Sequence, residues 1–167
     1  MAYTNKTYVA FDADNDIRYY RLMQAWKQND NTPFNFYDAH DLNNLMSWAS
    51  EETIKAKLRE RLQNTKVFVL LVGEKTKLLR KFVLWEVEQA VKRSLPIIVI
   101  NLNGKRYKDG SLCPATLVDE LAVHVSFNQK IIAKALDEWE MLDKKYRGER
   151  KSGAYRYNEE TYKNLGL

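Results

Sequence analysis

Cysteine, glycine and proline are scarce in this chain of 167 residues, which has one cysteine, six glycines and three prolines. The single cysteine, Cys113, cannot form an internal disulfide, which agrees with a reducing compartment. No glycine lies in the turn that directly follows the first predicted strand. This excludes the glycine-rich phosphate loops of P-loop and dinucleotide-binding Rossmann proteins.

Long apolar runs are also absent. No run approaches the roughly 20 residues needed to cross a bilayer, and no apolar signal region follows the first six residues. We therefore expect a cytoplasmic protein with no membrane partner. His40 and His124 are the only histidines, and they form no cluster with metal-ligand spacing. No metal site is predicted.

Positive charge is in moderate excess and is concentrated near the C-terminus. The chain has 27 basic and 22 acidic side chains, a net charge of +5, and residues 144–167 hold seven of the basic and three of the acidic ones. Tyrosines between these charges could stack on bases, but no nucleic-acid-binding motif accompanies them. We predict one domain over residues 1–145, with 146–167 as its basic, tyrosine-containing extension that packs back onto it. Nucleic acid is not an expected partner.

Apolar runs and helical periodicities alternate along the chain. Strands are predicted at 7–11, 34–37, 66–72, 95–101 and 123–127, the last as an edge strand. Helices are predicted from a cap at residue 15 or 16 to about 27, over 50–64, over 79–94 and from 128 onwards. The third and fourth strands lack alternation, as strands covered on both faces do. This order predicts an α/β, flavodoxin-like three-layer sandwich with a five-stranded, mainly parallel sheet.

Binding sites in such sheets lie at the carboxyl ends of the strands. In this chain those ends carry Asp12, Asp38, Gly73 and Asn101. The acidic turn 12–16 is similar to the acidic pocket of a phosphorylatable receiver domain, but strand three ends in Gly73 where a receiver has an aspartate. Asp14 and Asp16 are therefore expected to form a turn and a helix cap.

The most informative segment is the start of the helix predicted over 79–94. Phe82 and Glu86 are four residues apart, so a ring and a carboxyl group share one face of this helix. The pair suits a pocket in which the ring stacks on a flat ligand and the carboxylate meets a hydroxyl or a developing positive charge. Taken alone, a solvated acid beside basic neighbours is the commoner outcome, and Glu88 is an equally good candidate.

Several segments, taken in order, resemble a TIR domain. They are the first strand and acidic turn (8–15), the second strand and the start of the BB loop (34–42), the next helix and strand (52–72), and the strand at 95–99. Phe82 stands where the family has a tryptophan, and Glu86 stands at the catalytic glutamate four residues later. The similarity covers roughly residues 7–140. It is greatest to the TIR-like proteins of the bacterial Thoeris anti-phage system.

The resemblance implies an enzyme that cleaves NAD+ at the nicotinamide–ribose bond. NAD+ is then the substrate, no cofactor is needed, and the product is a cyclic or otherwise modified ADP-ribose signal that activates an effector protein. Glu86 is implied as the catalytic residue. Self-association is a further expectation. The substrate-binding candidates are Phe11, Asp12, Asp38, Phe82 and Trp85.

Two other functions stay open. A non-catalytic TIR-like interaction module would assemble through helical faces and the loop 38–50, and side chains closing the pocket at Glu86 would favour it. A nucleoside deoxyribosyltransferase-like enzyme shares the predicted layout and uses a glutamate at an anomeric carbon. Nucleoside exchange without NAD+ cleavage would identify the latter.

Overall fold

A parallel sheet runs through the protein, with helices on both faces. The structure is a computed structural model and describes residues 6–29, 36–37 and 49–167. Its strands are β1 (Thr7–Ala10), β2 (Phe36–Tyr37), β3 (Val67–Val72), β4 (Ile97–Asn101), β5 (Ala122–Ser126) and β6 (Ala154–Arg156). Its helices are α1 (Ala13–Gln28), α2 (Glu51–Gln63), α3 (Phe82–Lys92), α4 (Gln129–Gly148) and α5 (Glu159–Asn164), with short 3-10 turns at Thr76–Leu78 and Ala115–Leu117.

The strand order is β2-β1-β3-β4-β5-β6, and every neighbouring pair is parallel. The first five strands have the flavodoxin-like order, which confirms the predicted fold class. The sheet has one strand more than predicted, and β5 is not the edge strand. Helix α4 returns the chain so that β6 pairs with β5, with Ala122 opposite Ala154 and His124 opposite Arg156.

Alternating side chains of the strands build one apolar cluster on each face of the sheet, as the twofold repeat of a strand requires. The α1/α4 side contains Val9, Val69, Ile98, Tyr20 and Trp139 among its buried residues. The α2/α3 side contains Tyr8, Leu70, Val99, Leu58 and Val87. This division decides which predicted site residues can meet, because residues 8 and 9 of the same strand point to opposite sides.

The N-terminus of α1 differs from the sequence prediction. Asp12 caps this helix, since its Oδ1 accepts hydrogen bonds from the backbone N–H groups of Asp14 and Asn15 at 3.1 and 3.3 Å. The predicted caps, Asn15 and Asp16, lie inside the first turn instead, so that prediction is wrong. Capping by Asp12 starts the helix three or four residues earlier and places the Asp16 side chain beside Gly73, at the end of β3.

Residues after α4 pack onto the domain through aromatic rings. Tyr146 stacks on Tyr155 with ring centres 4.6 Å apart, and Tyr162 is fully buried in the cluster on the α1/α4 side. Arg106 lies over the Tyr162 ring at 4.3 Å and pairs with Glu159 at 2.7 Å. These contacts tie the last helix to the loop after β4. None of the helices in the described ranges is both long and apolar enough to cross a membrane.

Candidate active site

Glu86 lies in the second turn of α3 with its side chain turned toward the sheet. The residue is only 7% exposed, because its neighbours on the same helical face, Val83 and Val87, pack into the cluster on the α2/α3 side. Glu88 is exposed on the outer face of the helix. Glu86 and Glu88 were equally good candidates by composition, but in the structure Glu86 is buried and Glu88 is exposed.

The Tyr8 hydroxyl donates a hydrogen bond to Glu86 Oε1. Tyr8 lies in the middle of β1, is fully buried, and stacks on Phe68 of the neighbouring strand with ring centres 5.6 Å apart. Its ring is therefore held by the sheet, and its hydroxyl fixes the position of the carboxyl group on α3. The sequence analysis missed Tyr8. One signal was available in the sequence: Tyr8 lies in an otherwise apolar strand, and a buried tyrosine hydroxyl needs a hydrogen-bond partner.

Burial raises the pKa of Glu86 to about 7, and the hydrogen bond from Tyr8 acts in the opposite direction. Burial and the nearby Glu86 carboxylate in turn raise the pKa of Tyr8 well above its ordinary value. Near neutral pH the glutamate therefore exists in both protonation states while the tyrosine stays a donor. A carboxyl group poised in this way can either donate or accept a proton, or meet positive charge as an anion.

Phe82 and Trp85 lie at the start of the same helix but in different surroundings. Phe82 is half-buried against the cluster on the α2/α3 side, one turn before Glu86. Trp85 is half-buried as well, and two cations of α2 approach its ring, Lys55 Nζ at 5.8 Å and Arg59 Cζ at 5.4 Å. Phe82 thus shares the face of Glu86, as its spacing predicted, whereas Trp85 joins α3 to α2.

Phe11 and Asp12, two other predicted site residues, have partners other than Glu86. Phe11 belongs to the cluster on the α1/α4 side, where it stacks on Tyr20 with ring centres 4.6 Å apart. Asp12 is buried, and its carboxylate is used by the helix cap and by Asn15 Nδ2 at 2.7 Å. Asp38 lies outside the described residues. Within the described ranges, no three His, Cys, Asp or Glu side chains are placed to hold a metal ion.

The family model of the Thoeris protein ThsB, TIR-like domain, matches residues 8–107 of this chain. The match covers more than half of the 167 residues and contains both Tyr8 and Glu86. This chain belongs to the Thoeris ThsB TIR-like family. The resemblance inferred from the sequence is thereby confirmed, and the protein is a TIR-like protein related to Thoeris defence.

In this TIR-like protein the family match ends within the loop after β4. It includes β1, β3, α3 and β4, which carry the Tyr8–Glu86 pair and the core on both sides of it. Strands β5 and β6 and helices α4 and α5 lie beyond the match. The candidate active site is thus contained in the part of the chain that matches the family model.

Proposed function

We propose that this Thoeris TIR-like protein cleaves NAD+ at the nicotinamide–ribose bond, with Glu86 as the catalytic residue. The released ADP-ribosyl group would leave as a cyclic or otherwise modified ADP-ribose signal for an effector protein. The observation that carries the proposal is the carboxyl group of Glu86, buried on α3 within the part of the chain that matches the family model and held by a tyrosine hydroxyl.

Burial of this carboxyl group is costly, which supports a functional reading. A buried acid loses hydration in its charged form, and its raised pKa expresses that loss. Glutamine or an apolar residue would fill the same place in the core without the cost of burying a charge. Acids kept in such environments cluster at active sites, where a shifted pKa serves the chemistry.

The chemistry of NAD+ cleavage fits an anionic carboxylate at this place. When the bond between ribose C1′ and the nicotinamide nitrogen breaks, its electron pair goes to nicotinamide and positive charge develops on the ribose ring. A preorganised carboxylate stabilises that charge and can accept hydrogen bonds from the ribose hydroxyls. Attack on C1′ by an adenine nitrogen gives a cyclic product, and attack by water gives ADP-ribose. Exclusion of water from the site favours attack by the adenine nitrogen, and hence the cyclic product. Phe82, on the same face, would contact a flat ring of the substrate.

The test compares wild-type protein with Glu86→Gln and with Glu88→Gln, the matched change at an exposed acid of the same helix. Each purified variant is incubated with NAD+, and each is also expressed in phage-infected cells, with nucleotides identified by mass. We expect Glu86→Gln to lower NAD+ consumption by about 100-fold or more and Glu88→Gln to leave it unchanged. Equal NAD+ consumption by wild type and Glu86→Gln, in vitro and in cells, would overturn the proposal.

One observation favours a second candidate, the non-catalytic TIR-like interaction module. The Glu86 side chain is enclosed, and a hydroxyl of the protein itself occupies Oε1. In that case the hydrogen bond between Tyr8 and Glu86 serves only to stabilise the domain. The same experiment separates the two functions, since a module would leave NAD+ intact in wild type and in both variants. Nucleoside exchange without NAD+ cleavage would instead identify a deoxyribosyltransferase-like enzyme.

A further inference from the structure

Strand β6 lies at one end of the strand order and forms an edge of the described sheet. At the start of its pairing with β5, Gly153 O accepts a hydrogen bond from Ala122 N at 3.3 Å. Residues of a parallel strand direct their backbone N–H and C=O groups alternately to its two sides. Tyr155 therefore bonds to β5, whereas Ala154 and Arg156 point outward, and both of these are exposed. The outer edge thus presents backbone donors and acceptors that have no partner among the described residues.

Positive charge surrounds this edge. Residues 144–156, which form the end of α4, the return loop and β6, contain six basic side chains and one acidic side chain. The acid, Glu149, already pairs with Lys151 at 2.6 Å. Arg150 and Arg156 are exposed and form no ion pair with a described residue. The loop before β5 contributes the acids at 119 and 120, and the region stays positive when they are included.

Two of the exposed large apolar side chains lie beside the same edge. Arg156 lies over the ring of Tyr107, with Cζ 6.0 Å from the ring centre, and Tyr107 is 48% exposed. Val118 is 46% exposed and precedes Asp119, whose carbonyl accepts a hydrogen bond from Ser152 Oγ just before β6. The α2/α3 side of the edge therefore combines an unpaired cation with apolar surface.

We propose that the outer edge of β6 binds an extended acidic segment of a partner protein, which pairs with it as an added strand. The backbone of that segment exchanges hydrogen bonds with Ala154 and Arg156, as in other cases of strand addition. Every second side chain of the added strand points to the α2/α3 side. An acidic side chain there lies near Arg156, and an apolar one contacts Tyr107 or Val118.

The charges favour such a segment over a second copy of this chain. In an antiparallel pair of two β6 edges, Arg150, Lys151 and Arg156 of each copy would approach the same cations of the other, and like charges across strands are destabilising. Basic side chains also protect an edge strand against unselective pairing. At β6 they restrict pairing to segments of negative charge.

The experiment adds a short capped peptide of alternating glutamate and valine to wild-type protein and follows amide hydrogen exchange residue by residue. We expect the amides of Ala154 and Arg156 to exchange rapidly in the free protein and to slow by about tenfold or more at saturating peptide. The amide of Tyr155 bonds to β5 and should be protected with or without peptide, which makes it an internal control. A peptide of alternating lysine and valine should leave all three amides unchanged.

Two substitutions at residue 156 separate the charge from the backbone. Arg156→Gln keeps the outward N–H and removes the charge, so it should weaken binding of the glutamate peptide by about tenfold. Arg156→Pro also removes the N–H, which does not bond to β5, and should weaken binding by about a further tenfold. Lys144→Gln changes an exposed cation of α4 and should bind within about twofold of wild type. Thermal unfolding checks that each variant is folded.

Several outcomes would overturn the proposal. It is wrong if the glutamate peptide protects neither Ala154 nor Arg156 at saturating concentration, if the lysine peptide binds equally well, or if Arg156→Gln and Lys144→Gln bind alike. Protection of both amides that rises with protein concentration, without peptide, would show that a second copy occupies the edge instead. Glu86→Gln should bind the peptide as wild type does, because no residue of α3 takes part in this edge.

Discussion

The Tyr8 hydroxyl on β1 donates a hydrogen bond to the Glu86 carboxyl group on α3, joining residues 78 positions apart in sequence. Strand pairing fixes Tyr8, which is hydrogen-bonded into the sheet between β2 and β3. Helix packing fixes Glu86 through Val83 and Val87. The geometry of the candidate catalytic group therefore depends on the sheet and on the helix together. Four predictions concern this pair and the neighbouring end of the sheet.

The rate of NAD+ cleavage should rise with pH. The carboxylate form of Glu86 is the one that stabilises positive charge on the ribose, and its pKa lies at about 7. For the wild-type protein, kcat/KM should therefore increase through a midpoint near pH 7 and level off above it, because kcat/KM reports the ionisation of the free enzyme. Initial rates between pH 5.5 and 9 measure this. A rate that is flat over that range would show that the ionisation of Glu86 does not control cleavage.

Replacing Tyr8 by phenylalanine should move that midpoint upward. The Tyr8 hydroxyl favours the charged form of Glu86, so its loss should raise the pKa of Glu86 by roughly one pH unit. We expect a several-fold lower rate at pH 7 and recovery toward the wild-type rate at pH 9. Tyr157→Phe is the control, since its buried hydroxyl has no hydrogen-bond partner among the described residues. If both variants keep the wild-type midpoint, Tyr8 does not position or tune Glu86.

Glu86 should make the protein less stable as pH rises. Its pKa is about 7 in the folded protein and about 4.5 ordinarily, so between these values the folded state binds more protons than the unfolded state. The contribution of Glu86 is then fully present below pH 4.5 and is lost as pH rises through 7, a change of about 3 kcal/mol in the free energy of unfolding.

Urea unfolding of wild type and Glu86→Gln at pH 5 and pH 8 measures this contribution. Other acids with raised pKa values, such as Asp16 and Asp143, contribute equally to both proteins and cancel in the comparison. We expect the variant to gain stability relative to wild type on going from pH 5 to pH 8. Glu88→Gln should follow the wild-type curve. If the difference in free energy of unfolding between wild type and Glu86→Gln were the same at both pH values, the raised pKa of the buried Glu86 carboxyl group would be contradicted.

Gly73→Ala should destabilise the fold through Asp16. The new Cβ would lie 2.3 Å from Asp16 Oδ2, which forces one of the two groups to move and costs about 1–3 kcal/mol. Gly110→Ala is the matched control, because a Cβ there meets nothing within 4 Å. In the double variant Gly73→Ala, Asp16→Ala, most of the loss specific to Gly73→Ala should disappear. Additive effects of the two changes would mean that this contact is not the cause.

Much of the fold could be predicted from the sequence because its signals are local. Apolar runs without alternation indicated β3 and β4, and the helices predicted to start at residues 50 and 128 do so, with Ser50 and Asn128 as their N-caps. The cap of α1 was placed wrongly, since Asp12, Asn15 and Asp16 all have side chains that suit a cap. Strand β6 was missed. Its three residues, Ala154–Arg156, are half-exposed or exposed and carry no apolar pattern, so only pairing with β5 makes them a strand.

For the candidate site, the sequence by itself determined the family and, through the resemblance, made Glu86 the candidate acid. The ordered segments and the spacing of Phe82 and Glu86 depend only on position along the chain, which a sequence records directly. The tertiary structure decided what surrounds that acid. It brought Tyr8 to Glu86, placed Phe11 on the opposite side of the sheet, and left Asp16 buried against Gly73. These relationships arise from the strand order and the twofold alternation of side chains, which bring distant residues together and separate adjacent ones.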